Sequence, residues 1–443
     1  MSGKRQRASW ILVAVVAAWV TVLPSAEATA ATTSAGSGRG PASGGAWGKA
    51  EMVPGSGRDA VLFSVSCASA GDCSAGGFYT GKSEDAQAFV VSQVNGVWHK
   101  AVEVPGTAAL NRGTAFGAAV NSVSCASAGD CSAGGSYTDK SGNQQAFVVS
   151  QVKGTWGKAE EVPGTAALNK NSNPNDPGAA ITSVSCASAG DCSAGGLYTD
   201  AAGTQAFVVS QVNGVWHKAV EVPGTAALDT GGNARKGTGA IVTSVSCGSP
   251  GDCGAGGGYT DRSKHGQAFV VTQVNGTWGK AEEVPATAAL NTGGDAAITS
   301  VSCASPGHCG AGGVYTNASG SQAFVASQVN NSWGKAEEVP GTAALNAGGE
   351  TSNSISVSCA SPGDCSAGGS YSDKSGNQQA FVVNQVGGTW HTAEEVPGSA
   401  ALNTGGGAAV ISVSCPPAGR CSAGGLYANK ATTGQQAFVV SQV

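Results

Sequence analysis

The chain has 443 residues, of which 23 are Lys or Arg and 28 are Asp or Glu, a charged share of 12% against the roughly 25% of an ordinary soluble domain. Together with a net charge of −5 and only five histidines, this excludes a basic nucleic-acid binder, a long charged helix or coiled coil, and a histidine-rich metal centre. The 69 glycines and 14 cysteines leave a choice between a disulfide scaffold and a low-complexity chain.

Residues 1–30 read as a signal peptide. Lys4, Arg5 and Arg7 precede an apolar run over residues 10–23, followed by Pro24 and small residues. That run is short for a bilayer span, although a retained anchor is the alternative. Ala26-Glu27-Ala28 and Ala28-Thr29-Ala30 fit the small-x-small cleavage rule, so the mature chain is expected to begin near residue 29 or 31. Gln6 separates Arg5 from Arg7, which removes the twin-arginine signal and favours the general export route. No cysteine lies near the cut, which disfavours a lipoprotein. Residues 31–45 are rich in Ala, Gly and Ser, cannot bury a core, and are predicted to be a flexible linker.

From residue 46 onwards the chain repeats itself, and the cysteines mark the period. Cys67 pairs in sequence with Cys73, Cys125 with Cys131, Cys186 with Cys192, Cys247 with Cys253, Cys303 with Cys309, Cys359 with Cys365 and Cys415 with Cys421. Five residues always separate the partners, and 56 to 61 residues separate one pair from the next. Each of the seven units carries one Tyr and one Phe at fixed places, from Tyr79 and Phe89 to Tyr427 and Phe438, and the tryptophans from Trp47 to Trp390 keep the same register. A unit holds four short stretches rich in Val, Ser, Thr and aromatics: SVSC, CSAGGxYT, QAFVVSQV and WxKAEEV, here strands A to D. Asn-Gly at 95/96, 213/214 and 275/276 separates C from D, a strong hairpin signal. Four antiparallel strands repeated seven times predict an all-β, seven-bladed β-propeller over residues 46–443. The seventh strand C ends the sequence, while residues 46–55 read as a strand D with no A, B or C before it. This N-terminal outer strand is expected to complete the last blade and close the ring, hiding an open edge; the alternative is a frayed half-repeat at each end.

In an exported chain the cysteine pairs read as disulfides across the mouth of the A–B hairpin, each worth about 2 kcal/mol by loop entropy. Zinc is the rival, but the spacing is long and no second ligand pair is evident. No metal or cofactor is expected. Strand direction puts the A–B and C–D turns on one face and the B–C and D–A connections on the other. The first face is nearly uniform, with His308 and Arg420 replacing a turn Asp that serves as a local acceptor. The second carries the variation: Arg58, Asp59, Arg112, Asp176, Arg235, Asp295 and Glu350 on the D–A connectors are candidate ligand-binding residues rimming the central mouth. The bland reading is that surface loops vary because they tolerate change. Asp59, Asp176, Asp295 and Glu350 include candidate carboxyls for glycoside hydrolysis, although no motif selects a pair, and Arg58, Arg112 and Arg235 supply planar forks for a carboxylate. The repeated Tyr and Trp are expected to pack between blades; exposed Tyr rings would instead make a multivalent sugar binder. The Lys and Glu of KAEEV read as edge charges against aggregation.

SQVNGVW at 92–98 resembles the Asp-box hairpin of sialidase-like propellers, with Val94 at the box's Asp position, Trp98 one residue early, and no Arg-Ile-Pro signature. The resemblance implies a related blade shape and transfers no catalytic residue. The unit with its Ser-x-Ser-Cys, second Cys and Gly-Gly-x-Tyr also resembles repeats of secreted actinobacterial proteins of unassigned function, which brings no mechanism. The resulting expectation is a secreted, extracellular, monomeric binding or interaction scaffold for an extracellular polysaccharide or cell-surface component, with no nucleic-acid partner and no membrane association after signal cleavage. The alternatives are a glycan-cleaving enzyme, hydrolase or lyase, at the D–A mouth, and a purely structural or protein-docking module.

Overall fold

The computed structural model describes residues 52–56, 58–81, 85–113, 117–170, 178–233, 238–348, 354–416, 420–430 and 435–442. Seven antiparallel sheets follow one another along the chain as the blades of an all-β propeller. In blade two, strand A is Ala119–Ser127, strand B is Asp130–Thr138 and strand C is Gln144–Val152. Strand D comes as two short pieces, Thr155–Trp156 and Glu160–Glu161, both paired to strand C. Blades one to six share this plan, and blade seven shows Ala409–Ser414, Ser422–Ala428 and Gln435–Ser441 as strands A to C. The C–D turns take the backbone that Asn-Gly favours, with φ of 50° at Asn95 and 83° at Gly96.

Strand D is split because it serves two blades. Between its halves, Ala159 N–H leaves its own sheet and donates to Pro105 O of the preceding blade at 2.7 Å, and Ala219, Ala281, Ala336 and Ala393 repeat the bond to Pro163, Pro223, Pro285 and Pro340. The D–A connectors leading into blades two to seven then open with a single helical turn absent from the strand-only reading, such as Thr165–Leu168. It follows Gly164 at φ 88°, and the Thr165 hydroxyl donates to Val162 O at 2.7 Å.

The blades are joined by their inner strands. Val123 N–H donates to Ser64 Oγ and Cys125 N–H to Ser66 Oγ, both at 3.0 Å. The two serines of SVSC are thus the acceptors for the next blade's backbone, and the pattern recurs at Val184, Val245, Val301, Val357 and Val413. The Gly-Gly pair of strand B makes the same joint possible. A Cβ on Gly195 would lie 2.5 Å from Val242 Cγ1 of the next blade, and one on Gly196 would strike the Ala180 carbonyl of its own strand A. Val148, Val162, Ile181, Val184 and Phe207 pack together across one such joint with the inner end of Tyr198. Each fully buried Val, Ile or Phe contributes roughly 1.5–3 kcal/mol. Gln151 adds a polar tie, donating to Ser92 Oγ at 3.0 Å and accepting from Ser74 Oγ at 3.3 Å.

All fourteen cysteines are paired within their own A–B hairpins. Cys67 is bonded to Cys73, Cys125 to Cys131, Cys186 to Cys192 and Cys247 to Cys253. Cys303 is bonded to Cys309, Cys359 to Cys365 and Cys415 to Cys421. The Cα atoms of each pair lie 3.9 to 4.1 Å apart. In six blades the partners sit directly opposite each other in the A–B ladder: Cys67 to Cys73, Cys131 to Cys125, Cys192 to Cys186, Cys253 to Cys247, Cys309 to Cys303 and Cys365 to Cys359. No cysteine is left free, which removes the zinc alternative. The second partner is the more deeply packed: Cys73, Cys131, Cys192, Cys253, Cys309 and Cys365 on strand B, and Cys421 just before it, are all buried.

Of the strand expected to complete blade seven, residues 46–51 lie outside the described residues. Its following residues lie against blade one, where Ala101 N–H donates to Pro54 O at 2.7 Å. Among the described residues the serine joint between blades seven and one is not made: Val65 is 62% exposed where Val123 is 5% exposed.

Two changes test this packing. Gly196→Ala is expected to cost at least about 1–3 kcal/mol in equilibrium unfolding by urea, because a methyl group meets rigid backbone. Replacing Cys186 and Cys192 together with Ala should cost about 2 kcal/mol, the value for a seven-residue loop, while leaving the β circular dichroism intact.

Candidate functional site

The face bearing the A–B and C–D turns is a structural latch. Asp130 accepts the Ser127 hydroxyl at 2.8 Å and the Lys153 N–H at 3.0 Å, tying the two turns of its blade. Asp72, Asp191, Asp252 and Asp364 do the same. The backbone N–H of Lys153 and the Ser127 hydroxyl hold the Asp130 carboxyl below its ordinary value. Where His308 replaces the Asp, a backbone bond from Asn331 N to Gly307 O at 3.1 Å keeps the turns together.

The repeated aromatics are committed to packing. Tyr137, Tyr198, Tyr259, Tyr315 and Tyr371 are buried, as are Trp216, Trp333 and Trp390. The Tyr137 hydroxyl donates to Glu161 on strand D at 2.9 Å, and burial followed by the Glu161 charge pushes that hydroxyl up. The second Glu of KAEEV is therefore a partner for the tyrosine as well as an edge charge. In these blades the rings offer no sugar-stacking platform.

The candidate rim residues separate on the opposite face. Asp59 is exposed with φ 50°, and Arg58 begins the strand A of blade one, Arg58–Ser69. Arg112 is exposed and turns its Nε back to Ala109 O at 2.9 Å, closing its own helical turn. Asp176, Arg235 and Glu350 lie outside the described residues. Asp295 is half-buried, donates its backbone N–H to Thr316 Oγ1 at 3.0 Å, and lies beside His265 of the blade-four B–C turn.

Around that turn the structure gathers charged groups from three segments. Asp261 accepts the His265 N–H at 3.0 Å and Gln267 Nε2 at 2.9 Å, and its Oδ2 is 3.9 Å from His265 Nδ1. Lys264, with φ 70°, sends its Nζ to Gly231 O at 3.0 Å and faces Asp229. Burial opposes ionisation of Asp261, but Gln267 and the N–H groups of His265 and Ser263 together hold its carboxyl low. Burial raises Asp295 against the attraction of His265.

Asp229 is the residue that the candidate set lacked. Other blades have Asn here: Asn169 donates through Nδ2 to Gln144 O at 3.1 Å and Gln145 Oε1 at 2.9 Å, and accepts the Thr199 N–H at 3.2 Å. Asp229 accepts the Thr260 N–H at 3.0 Å in the same cradle, but as a carboxylate it cannot donate. Burial pushes it up to about 6, against the hydrogen bonds of Thr260, Gln205 and Ala240 and the charge of Lys264. The signal was the change from TAALN to TAALD in one repeat. Among the described residues, no three His, Cys, Asp or Glu side chains converge as a metal site requires.

No family model matches the chain, and a search of curated protein sequences gives no match. Solved structures with similar chains include the six-bladed fucose lectin of Aleuria aurantia, at 11% identity and a TM-score of 0.34, covering 77% of this chain and 96% of that one. The GH74 xyloglucanase from Xanthomonas campestris has 12% identity and a TM-score of 0.45, covering 87% of this chain and 54% of that one. The Hadza microbial sialidase Hz136 has 10% identity and a TM-score of 0.36, covering 77% and 71%. These likenesses assign neither ligand nor activity; the fold rests on the strand pairing of the chain itself.

Asp229 gives a pH-dependent test. Its folded value lies above that of the unfolded chain, so its stabilising contribution is complete below about pH 4 and is lost as the pH rises through about 6. Asp229→Asn is expected to raise the melting temperature at pH 8 and leave it unchanged below pH 4. An equal difference at both pH values would contradict this account.

Proposed function

We propose that the protein is exported through residues 1–30 and acts as a monomeric binding scaffold for an extracellular polysaccharide or cell-surface component, engaged by the D–A connectors. Residues 31–45 serve as a linker and residues 46–443 as the binding body. The seven disulfides fit an oxidising compartment, and among the described residues no helix is long and apolar enough to cross a membrane.

The observation that carries this reading is a division of labour. The serines, glutamines, tyrosines and turn aspartates of the repeat are spent on holding blades and turns together, whereas the connectors vary in length and charge on a rigid support. With the repeated rings packed, recognition falls to hydrogen bonds and charge at Asp59, Arg112 and Asp295, together with Arg58, Asp176, Arg235 and Glu350.

One observation favours glycan cleavage as the second reading. Asp295 is pushed up by burial while Asp261, on the adjoining turn, is held down, and glycoside hydrolysis needs one protonated and one ionised carboxyl.

A polysaccharide panel scored for retention and for released reducing or unsaturated ends separates the two. Retention without release is expected, weakened about tenfold by Arg112→Ala or Asp295→Ala, the effect of one lost charged hydrogen bond. Release abolished by Asp295→Asn would replace the scaffold by an enzyme.

A further inference from the structure

Three of the C–D turns place asparagine directly before glycine: Asn95-Gly96, Asn213-Gly214 and Asn275-Gly276. This pair can modify itself. The glycine nitrogen attacks the asparagine side-chain carbonyl, unhindered because glycine has no side chain. The new N–Cγ bond closes a five-membered succinimide, the Cγ–Nδ2 bond breaks, and the side-chain nitrogen leaves as ammonia with the proton given up by the backbone nitrogen. Water then opens the ring to aspartate or, by attack at the other carbonyl, to isoaspartate. Water is the co-reactant, and the residues of all three pairs are exposed to it.

Burial therefore gives these amides no protection, and what holds them is the fixing of the attacking nitrogen. Gly96 N–H donates to Gly71 O of the A–B turn at 2.8 Å, as Gly214 does to Gly190 O and Gly276 to Gly251 O, both at 2.8 Å. The same glycine is held at its carbonyl: Gln93 Nε2 donates to Gly96 O at 3.2 Å, and Gln211 and Gln273 repeat the bond to Gly214 O and Gly276 O at 3.2 Å. The asparagine N–H donates to Asp72 at 3.1 Å, and in the other two blades to Asp191 at 2.9 Å and Asp252 at 3.0 Å. Both central residues stand at positive φ, 50° and 83° at Asn213 and Gly214 and 48° and 80° at Asn275 and Gly276. To bring the glycine nitrogen onto Cγ, the peptide between the two residues must rotate about the asparagine Cα–C bond, which breaks the bond to the A–B turn. The turn itself does not need the asparagine. Lys153 takes the same place in blade two with φ 49° and Gly387 in blade six with φ 56°, bonded alike to Asp130 and Asp364.

We infer that Asn95, Asn213 and Asn275 are latent self-modification sites, each kept unreacted by the A–B turn of its own blade. Opening one latch frees one asparagine to close its ring, and the product keeps that latch open. Isoaspartate adds a methylene to the backbone and moves Gly96 off its partner, whereas aspartate sets a second carboxylate beside Asp72. The disulfide from Cys67 to Cys73 fastens the hairpin that carries this turn, so the modification records, blade by blade, where a hairpin has come loose.

Peptide-mapping mass spectrometry of the full chain, aged at mildly alkaline pH and body temperature, tests the assignment. All three asparagines are expected to deamidate at least about a hundredfold more slowly in the native chain than in the same chain reduced and unfolded in guanidinium chloride, since attack must await local opening. Asp72→Ala, which removes the charged acceptor, should speed Asn95 about tenfold or more and leave Asn213 and Asn275 at their native rates. Asp191→Ala should do the same for Asn213 alone. Native rates equal to the unfolded ones would overturn the proposal. So would variants in which all three sites speed together or none does, because protection would then reside in the global fold or in the turn sequence and not in the latch of each blade.

Discussion

The structure depends on one joint, in which the inner strand of each of blades two to seven donates two backbone N–H groups to serine hydroxyls of the blade before it. A strand buried between two sheets would otherwise leave those donors unpaired, at a cost of about 1–3 kcal/mol each. The serine hydroxyl meets the donor without adding a strand, so neighbouring sheets stay separate yet locked. The joint also needs close approach, and the Gly-Gly pair provides it: one glycine admits the next blade's Val or Ile, the other its own inner strand. Much of the repeated unit follows from these two requirements, and the disulfide then fixes the hairpin that presents the serines.

This constraint explains the low charge. Sheets packed on both faces have few places for an ion, and the charges found near the blades are mostly assigned to structure: Glu161 to Tyr137, Asp130 to two turns. What remains lies on the exposed edge of strand D, as Lys158 and Glu160 do, and on the connectors. The cluster around the blade-four B–C turn, with Asp229, Asp261, Lys264, His265 and Asp295, is where this remainder is densest among the described residues.

The fold was legible because its signals are periodic. Cysteine spacing gave the unit length, Asn-Gly marked the C–D turns, and alternation of turns assigned the faces. The split of strand D was not legible, since its cause is the bond from Ala159 to Pro105 in another blade. The helical turn at Thr165–Leu168 is too short to show a period of its own. Of the candidate site, Asp295 was visible as a connector acid, but its neighbour His265 was not, because that contact joins two different connections. Asp229 was readable only as a departure from Asn; its burial and its cradle come from strands more than twenty residues away in sequence.

The central claim is that the repeat builds the body and the connectors choose the ligand. The direct measurement is to replace the connectors leading into blades four and five by the one leading into blade two, and to compare polysaccharide retention with the unmodified chain. The account requires retention to be lost while the thermal unfolding midpoint and β circular dichroism stay within a few degrees and a few per cent of the original. Unchanged retention on that scaffold would place recognition on the repeated surface and contradict the account.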